Sequence, residues 1–435
     1  VGRRRYIDRN PGGGIPLGAK PVADVVVIGA GMAGLTCAAD LTAAGVDTLV
    51  LEASDGIGGR VRSDLVDGYR LDRGFQILLL GYPQVQKRLE LERLKLGYFA
   101  AGAIVRTEDG LHRVSDPRRT PRDLFRTAAT PIATTKDKLN AARLLFDVCT
   151  HAPKQLLRRP DKSTAERLGQ AGLSPEFIAA FWRPLFAGIQ LDPELEVSAR
   201  RFDVILRMIA FGETALPADG IGAIPAQMAE QIPATNIRTN AEAHTVTKNH
   251  VTLATGETIE TRAVVVATDG PAAHRLLNNK IPDPGSRAAA CCWFALSSPP
   301  LRKPYLILDG EGVGPALNVV VMSEVQPAYA PPGKTLVAAA VPGPMALSDD
   351  LELRVRIQLA RWFDATTGDL EPLRTDVIHH GQPLQAPPLH PRQKVDLGEG
   401  MFICGDHRDT ASLQGAMFSG ERTAEAVLAH LNHPI

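Results

Sequence analysis

The chain has five cysteines in 435 residues (Cys37, Cys149, Cys291, Cys292 and Cys404). They are odd in number and show no CxxC or Cys/His spacing, which excludes a disulfide framework and a zinc centre as organising features; no metal is expected. Such cysteine usage implies a reducing, cytoplasmic setting. No apolar run approaches the roughly 20 residues that span a bilayer. There is no excess of charge of either sign, Lys plus Arg and Asp plus Glu both numbering 48, and that argues against a nucleic-acid partner. What is present is ordinary for a globular protein: 44% hydrophobic and 22% charged residues, in a chain long enough for two domains and a large core.

The first 21 residues, "VGRRRYIDRNPGGGIPLGAKP", are basic and rich in Gly and Pro. The Arg run invites comparison with a twin-arginine leader. The residues after that run are polar rather than apolar, so a flexible tail is expected instead.

The first strong pattern is "ADVVVIGAGMAGLTCAADLTAAGVDTLVLEA". The β-branched run Val25 to Ile28 reads as a strand buried on both faces. Gly29, Gly31 and Gly34 then give GxGxxG, and the helical spacing after them ends at Gly45. A second short strand ends on Glu52. Strand, glycines, helix and acid at this spacing form a dinucleotide-binding fingerprint. Gly29 permits the tight turn, Gly31 lets backbone approach a pyrophosphate, and Gly34 lets the helix pack on the strand. Met32 and Ala33 open the helix, whose free N–H groups and positive dipole end face the phosphates. Glu52, with Ala53 beside it, is placed to accept the ribose hydroxyls and would repel a 2′-phosphate.

Six residues on stand Gly58, Gly59 and Arg60. A glycine pair and a guanidinium so close to the ribose strand suit an extended dinucleotide, with Arg60 neutralising pyrophosphate charge or reaching toward a flavin. The stretch from Glu52 to Arg60, ExxxxxGGR, resembles the flavin-containing amine oxidase superfamily, which includes phytoene-desaturase-like and protoporphyrinogen-oxidase-like enzymes. The resemblance runs along the chain. "GYRLDRGFQIL" is similar to a D-x-G segment beside the flavin ring, which implies roles for Gly74, Phe75 and Gln76. "LPADGIGAIPAQMAEQI" resembles a P-x-G-G turn with Asp219 in place of the first Gly. "AHTVTKNHVTLATGETIETRAVVVATDGPAA" resembles a β-meander and strand end, implying that Ala243 lies near the adenine and Ala267 near the pyrophosphate. "ICGD" resembles the last strand of the FAD-binding part, with Gly405 and Asp406 at the pyrophosphate or ribityl chain. "SLQGAM" resembles the closing helix, whose N–H groups near Leu413 and Gln414, with small Ala416, would face the flavin N1/O2 edge.

The resemblance implies an α/β protein: a Rossmann-like FAD-binding domain from residues 22–80, 215–285 and 385–435, and an α+β substrate-binding domain from 81–214 and 286–384. Residues 81–214 read as mostly helical, including a basic amphipathic stretch, "KDKLNAARLLFDVCTHAPKQLLRR", that suits a surface helix or a peripheral membrane contact. Residues 286–384 read as strands followed by a helix, with "CCWFAL" and "ALNVVVM" forming an apolar cavity floor.

Further absences narrow the chemistry. There is no second GxGxxG after a strand, so no separate NADPH domain is expected, and electrons would pass to oxygen, a quinone or another external acceptor. "SRAAACCWFALSSPPL" lacks the Lys that amine oxidases of this superfamily place near flavin N5. Ser412 stands where an aromatic cage residue would be, and no Trp or Tyr follows Trp362. The expectation is an FAD-dependent oxidoreductase of desaturase or dehydrogenase type, holding FAD noncovalently and acting on a mostly apolar, isoprenoid-like small molecule. An amine or tetrapyrrole oxidase of the same superfamily and a non-catalytic flavin-binding partner protein are the alternatives. His407, His379 and His380 are candidate bases, and Arg183 is a candidate anion-binding residue, none of them assigned a catalytic role. Cys404 reads as a small buried thiol. Oligomeric state is not read from the sequence.

Overall fold

The computed structural model describes residues 23–115, 119 and 130–432; the expected tail, residues 1–21, lies outside them. Strand β1 (Ala23–Ile28) runs into helix α1 (Met32–Ala43), which returns to strand β2 (Thr48–Leu51). Val25, Val26 and Val27 are wholly buried. Val25 and Val27 face one core and Val26 and Ile28 another, so the β-branched run is covered on both sides. Each such valine contributes roughly 1.5–3 kcal/mol relative to exposure.

β1 pairs in parallel with β2 and with strand β3 (Thr258–Val266), and β3 pairs in parallel with strand β6 (Met401–Ile403). The sheet has eight strands. It continues from β2 through Ile237–Arg238, and from β3 through an antiparallel pair, His250–Leu253 and Ala243–Val246. Helix α4 (Leu413–Leu431) closes it. A Cβ on Gly420 would sit 2.3 Å from the Ala33 carbonyl oxygen, so glycine there lets α4 lie directly against α1. Helices α1 and α4, far apart in the chain, are thus packed against each other.

Among the described residues the second sheet has seven strands, in the order β5 (Glu371–Gln382), β4 (Arg287–Leu296), Thr335–Pro342, Asn318–Val321, Leu306–Asp309, Gly102–Thr107, Gly110–Ser115. The hairpin at residues 102–115 lies within the stretch expected to be mostly helical. β5 comes after the helix at Leu351–Trp362, where no further strand is expected from the sequence. The expected cavity floor is corrected. Cys292 and Phe294 point into one core, Cys291 and Trp293 into another, and it is Ala289 and Ala290 of β4 that border the cavity. Other strands of the sheet bring larger residues to the cavity, Leu306, Asn318, Val341, Ile378 and Gln382, and Asn318 is the one residue of the two expected floor segments that lines it.

The helices of residues 135–211 form a core of their own. Helix α2 (Thr135–Thr150) begins with a capping box, the Thr134 hydroxyl accepting from Asp137 N–H at 3.1 Å. Helix α3 is Ala199–Phe211. Residues Ile178–Trp182 form a widened, π-helical turn, which sets Phe181 and Trp182 side by side at the cavity. Trp182, Phe186 and Phe202 pack as an aromatic cluster, Phe186 and Phe202 at 4.4 Å between ring centres.

Candidate functional site

A single cavity of about 1590 Å³ joins the carboxyl end of β1 to the helices and the second sheet. It exceeds the roughly 300–1,000 Å³ usual for one small ligand, so it has room for a dinucleotide and a second molecule together.

The glycines act as the fingerprint requires. Gly29 has φ +107°, and a Cβ there would lie 2.8 Å from the Ala267 carbonyl oxygen. At Gly34 a Cβ would lie 2.0 Å from the Gly29 carbonyl oxygen. Gly31 differs: nothing lies within 4 Å of its would-be Cβ, and the neighbour nearest to that of Gly59 is Gly31 Cα at 3.4 Å. Gly31 and Gly59 therefore present bare backbone to open space, as a pyrophosphate needs. Met32, Ala33 and Ala53 border the same channel.

Glu52 also lines it, and its carboxylate braces the loop. It accepts from Ala30 N–H at 2.8 Å, Ser54 N–H at 2.9 Å and the Ser54 hydroxyl at 2.7 Å. Oε1 is filled by the two bonds from Ser54, whereas Oε2, which accepts only from Ala30, keeps a lone pair for a ribose hydroxyl. Ala243, Ala267, Gly74, Phe75 and Gln76 all border the cavity. Gln76 donates to the Arg60 carbonyl at 2.7 Å, which ties that segment to the glycine pair.

Arg60 donates to Asp406 at 2.8 Å and to the Gly381 carbonyl at 2.6 Å, and Gly405 and Asp406 line the channel beside it. Leu413 reaches the cavity at the start of α4, where the Ser412 hydroxyl accepts from Gly415 N–H. The side chains of Gln414 and Ala416 turn away from it. The Gln414 side-chain oxygen accepts from Gln84 N–H at 2.8 Å, and Ala416 packs on the core.

The remaining candidates lie off the cavity. His379 and His380 are exposed on β5, where the His380 ring meets the Ser286 hydroxyl at 2.8 Å. Arg183 is exposed. Cys404 is buried, and the Cys37 thiol, hydrogen-bonded to it, is pushed up by that contact and by burial. His407 is buried behind Gly405, and burial pushes its pKa down to about 4, so it is neutral at pH 7.

One cavity residue belongs to none of the sequence motifs. Arg201 of α3 is 2% exposed and lines the cavity. It donates to the Gln382 side-chain oxygen at 2.5 Å and to the Ala411 carbonyl at 2.7 Å. Burial pushes its pKa down to about 10, so it stays protonated at neutral pH. The one signal for it in the sequence is helical register: Arg201 stands four residues before Ile205, on the apolar face.

No lysine borders the cavity from β4. Lys138 of α2 does border it, and its ammonium donates to the Thr130 carbonyl. Aromatic rings come from elsewhere than the C-terminal segment: Phe181 and Trp182 from the helices, Phe75 and Tyr82 from the first hundred residues. Among the described residues no cluster suits a metal ion, and no helix is long and apolar enough to cross a membrane.

The bare backbone at Gly31 and Gly59, the Glu52 carboxylate and the volume of the cavity fit FAD. Comparison with known proteins agrees. The model of the family described as flavin containing amine oxidoreductase matches residues 32–428. Putrescine oxidase of Kocuria rosea is 57% identical over 53 residues, 12% of this chain and 11% of that protein. The chain thus aligns with only about a tenth of that relative's length. Two solved structures share the fold over nearly their whole lengths. A protoporphyrinogen oxidase-like protein from Exiguobacterium sp. 255-15 has a TM-score of 0.72 at 18% identity, covering 95% of this chain and 100% of its own. Cyclohexylamine oxidase from Brevibacterium oxydans IH-35A has a TM-score of 0.69 at 16% identity, covering 95% and 100%.

Proposed function

The chain belongs to the flavin-containing amine oxidoreductase family, its cofactor is FAD, and on that premise we propose that it oxidises a mostly apolar small molecule in desaturase or dehydrogenase fashion. When bound, FAD supplies a hydride acceptor at its N5. The single observation that carries the reading is the continuity of the dinucleotide channel with a chamber walled by Phe181, Trp182, Leu185, Ile189, Ile205 and Ile209. Such a chamber binds chiefly by burying apolar surface. Among the described residues, the carboxylates that border the cavity are Glu52, Glu242, Asp269 and Asp406. None of these stands on the helices or sheet of the chamber, so none offers an ammonium group a counter-ion there, and this weighs against amine oxidation.

The division into an FAD-binding and a substrate-binding domain at the expected boundaries is part of the same proposal. It is supported by the two larger sheets, which draw their strands from alternating stretches of the chain. Oxygen or a quinone is the proposed acceptor. The exposed Phe146 and Leu139 of α2 and Phe211 at the end of α3 support a peripheral membrane contact for an apolar substrate, since Phe146 also borders the cavity.

Anaerobic stopped-flow spectra test the proposal. Loss of the oxidised flavin band with an isoprenoid polyene, and not with benzylamine or putrescine, is the expected result. Rapid bleaching by a small primary amine would restore the amine-oxidase reading, and bleaching by a porphyrinogen the tetrapyrrole one.

A further inference from the structure

Arg201 has two guanidinium nitrogens, Nε and Nη1, that are buried and without any hydrogen-bond partner. A buried charge left half-solvated in this way is costly, and native proteins seldom keep one without a partner or a use. The acids around it are already engaged: Arg60 holds Asp406 at 2.8 Å, and Arg287 holds Asp192 at 2.9 Å. Among the described residues Arg201 makes no ion pair. Its one satisfied nitrogen is fixed by Gln382 and by Ala411, two residues before α4. Gln382 is itself held, donating to the Ile189 carbonyl at 2.9 Å. The guanidinium is therefore locked at the junction between the dinucleotide channel and the apolar chamber, with unspent donors.

We propose that Arg201 binds an anionic oxygen group, a carboxylate or a phosphate, on an otherwise apolar substrate. The inference rests on the proposed function and narrows its substrate class. The chamber wall, with Trp182, Ile205 and Ile209, takes the apolar body, and Arg201 takes the head group and so sets which carbon faces the cofactor. Both forks of a guanidinium include Nη2, which Gln382 and Ala411 already occupy, so the anion is met by a single charge-assisted bond from Nη1 rather than by a bidentate pair.

The test is a set of titrations of FAD-loaded protein with decanoate, decyl phosphate and decanol, followed by calorimetry and by perturbation of the flavin absorption band. One of the two anions is expected to bind on the order of 10- to 150-fold more tightly than decanol, the span of a charge-assisted hydrogen bond. Arg201→Met should erase that preference while FAD content is kept, and Arg201→Lys should keep part of it. The anion that wins identifies the head group. Equal binding of all three probes to the unaltered protein overturns the proposal without any variant. So does an Arg201→Met protein that loses FAD yet, refilled with FAD, still prefers the anion, because Arg201 would then serve the cofactor. If no apolar compound bleaches the flavin but Arg201 still selects decanoate, the proposed function fails and the anion site stands.

Discussion

Arg60 Nη2 donates to Asp406 Oδ1 at 2.8 Å across 346 residues of chain. The pair joins the glycine turn after β2 to the turn after β6, and both turns line the cavity. The expectation that Arg60 neutralises pyrophosphate charge takes a different form here, because its charge is first matched by Asp406. Burial would raise the Asp406 carboxyl, but the Arg60 guanidinium overcomes that and holds it below its ordinary value.

Asp406 therefore contributes stability at neutral pH that is lost as pH falls through its depressed folded-state value. Asp406→Asn should lower stability by ~1–3 kcal/mol at pH 7, discounted from the ~3–5 kcal/mol of a fully buried pair because the Arg60 side chain is 38% exposed. The deficit relative to the unaltered protein should shrink below pH 4. Thermal melts from pH 3 to 7 decide this; a constant deficit would show that the charge is not what matters.

Asp72 gives the opposite pH dependence. It accepts from the Ser63 hydroxyl at 2.5 Å, Ile221 N–H at 3.0 Å and the Tyr329 hydroxyl at 2.8 Å, and burial pushes its pKa up to about 6. The folded protein thus holds the proton more tightly than the unfolded chain, whose value is near 3.9. This contribution is present below pH 4 and lost as pH rises through about 6. Two units correspond to ~3 kcal/mol. Between pH 4 and 7 the unaltered protein should lose up to that amount of stability relative to Asp72→Asn, measured by denaturant titration.

How much of this is legible in the residues varies by physical cause. The β1–α1–β2 unit is readable because strand burial, glycine conformation and the ribose acid all act within 30 residues. The partnership of α1 with α4 can be expected only through family resemblance, since the sequence does not say which distant segments touch. β5 is hidden because it is an edge strand: "EPLRTDVIHHGQ" is half exposed and lacks a hydrophobic alternation. Arg201 is hidden because in "ARRFDVILRM" it looks like any charge on an amphipathic helix. Its neighbour Arg200 donates to the Arg159 and Leu389 carbonyls, away from the cavity, and only packing separates the two.

Glu52 braces the loop, and its remaining lone pair is expected to take a ribose hydroxyl. Glu52→Gln would set an amide against donors at Ala30 and Ser54 and weaken that expected bond. A charge-assisted bond contributes about 1.5–3 kcal/mol, so FAD affinity should fall by roughly 10- to 150-fold. Flavin fluorescence on dilution reports it. Ser54→Ala, which removes one bond to the Glu52 carboxylate and the bond to the Gly56 carbonyl but keeps the carboxylate itself, should cost less; an equal loss would assign the effect to the loop.

Gly31 and Gly34 separate binding from folding. Gly31 has φ −75°, open to any residue, and its would-be Cβ meets no protein atom within 4 Å. Nothing in the fold requires glycine there; only a ligand lying against the backbone does. Gly34 has the Gly29 carbonyl oxygen 2.0 Å from its would-be Cβ, so its requirement is internal. Gly31→Val should therefore leave the melting temperature of the flavin-free protein within a few degrees of the parent while FAD binding is lost. Gly34→Val should destabilise the protein itself by several kcal/mol, as overpacking at a strand–helix contact does. Calorimetry of both flavin-free variants, with FAD titrated afterwards, distinguishes them. A Gly31→Val protein that keeps FAD at parental affinity would mean that the pyrophosphate does not pass over this turn.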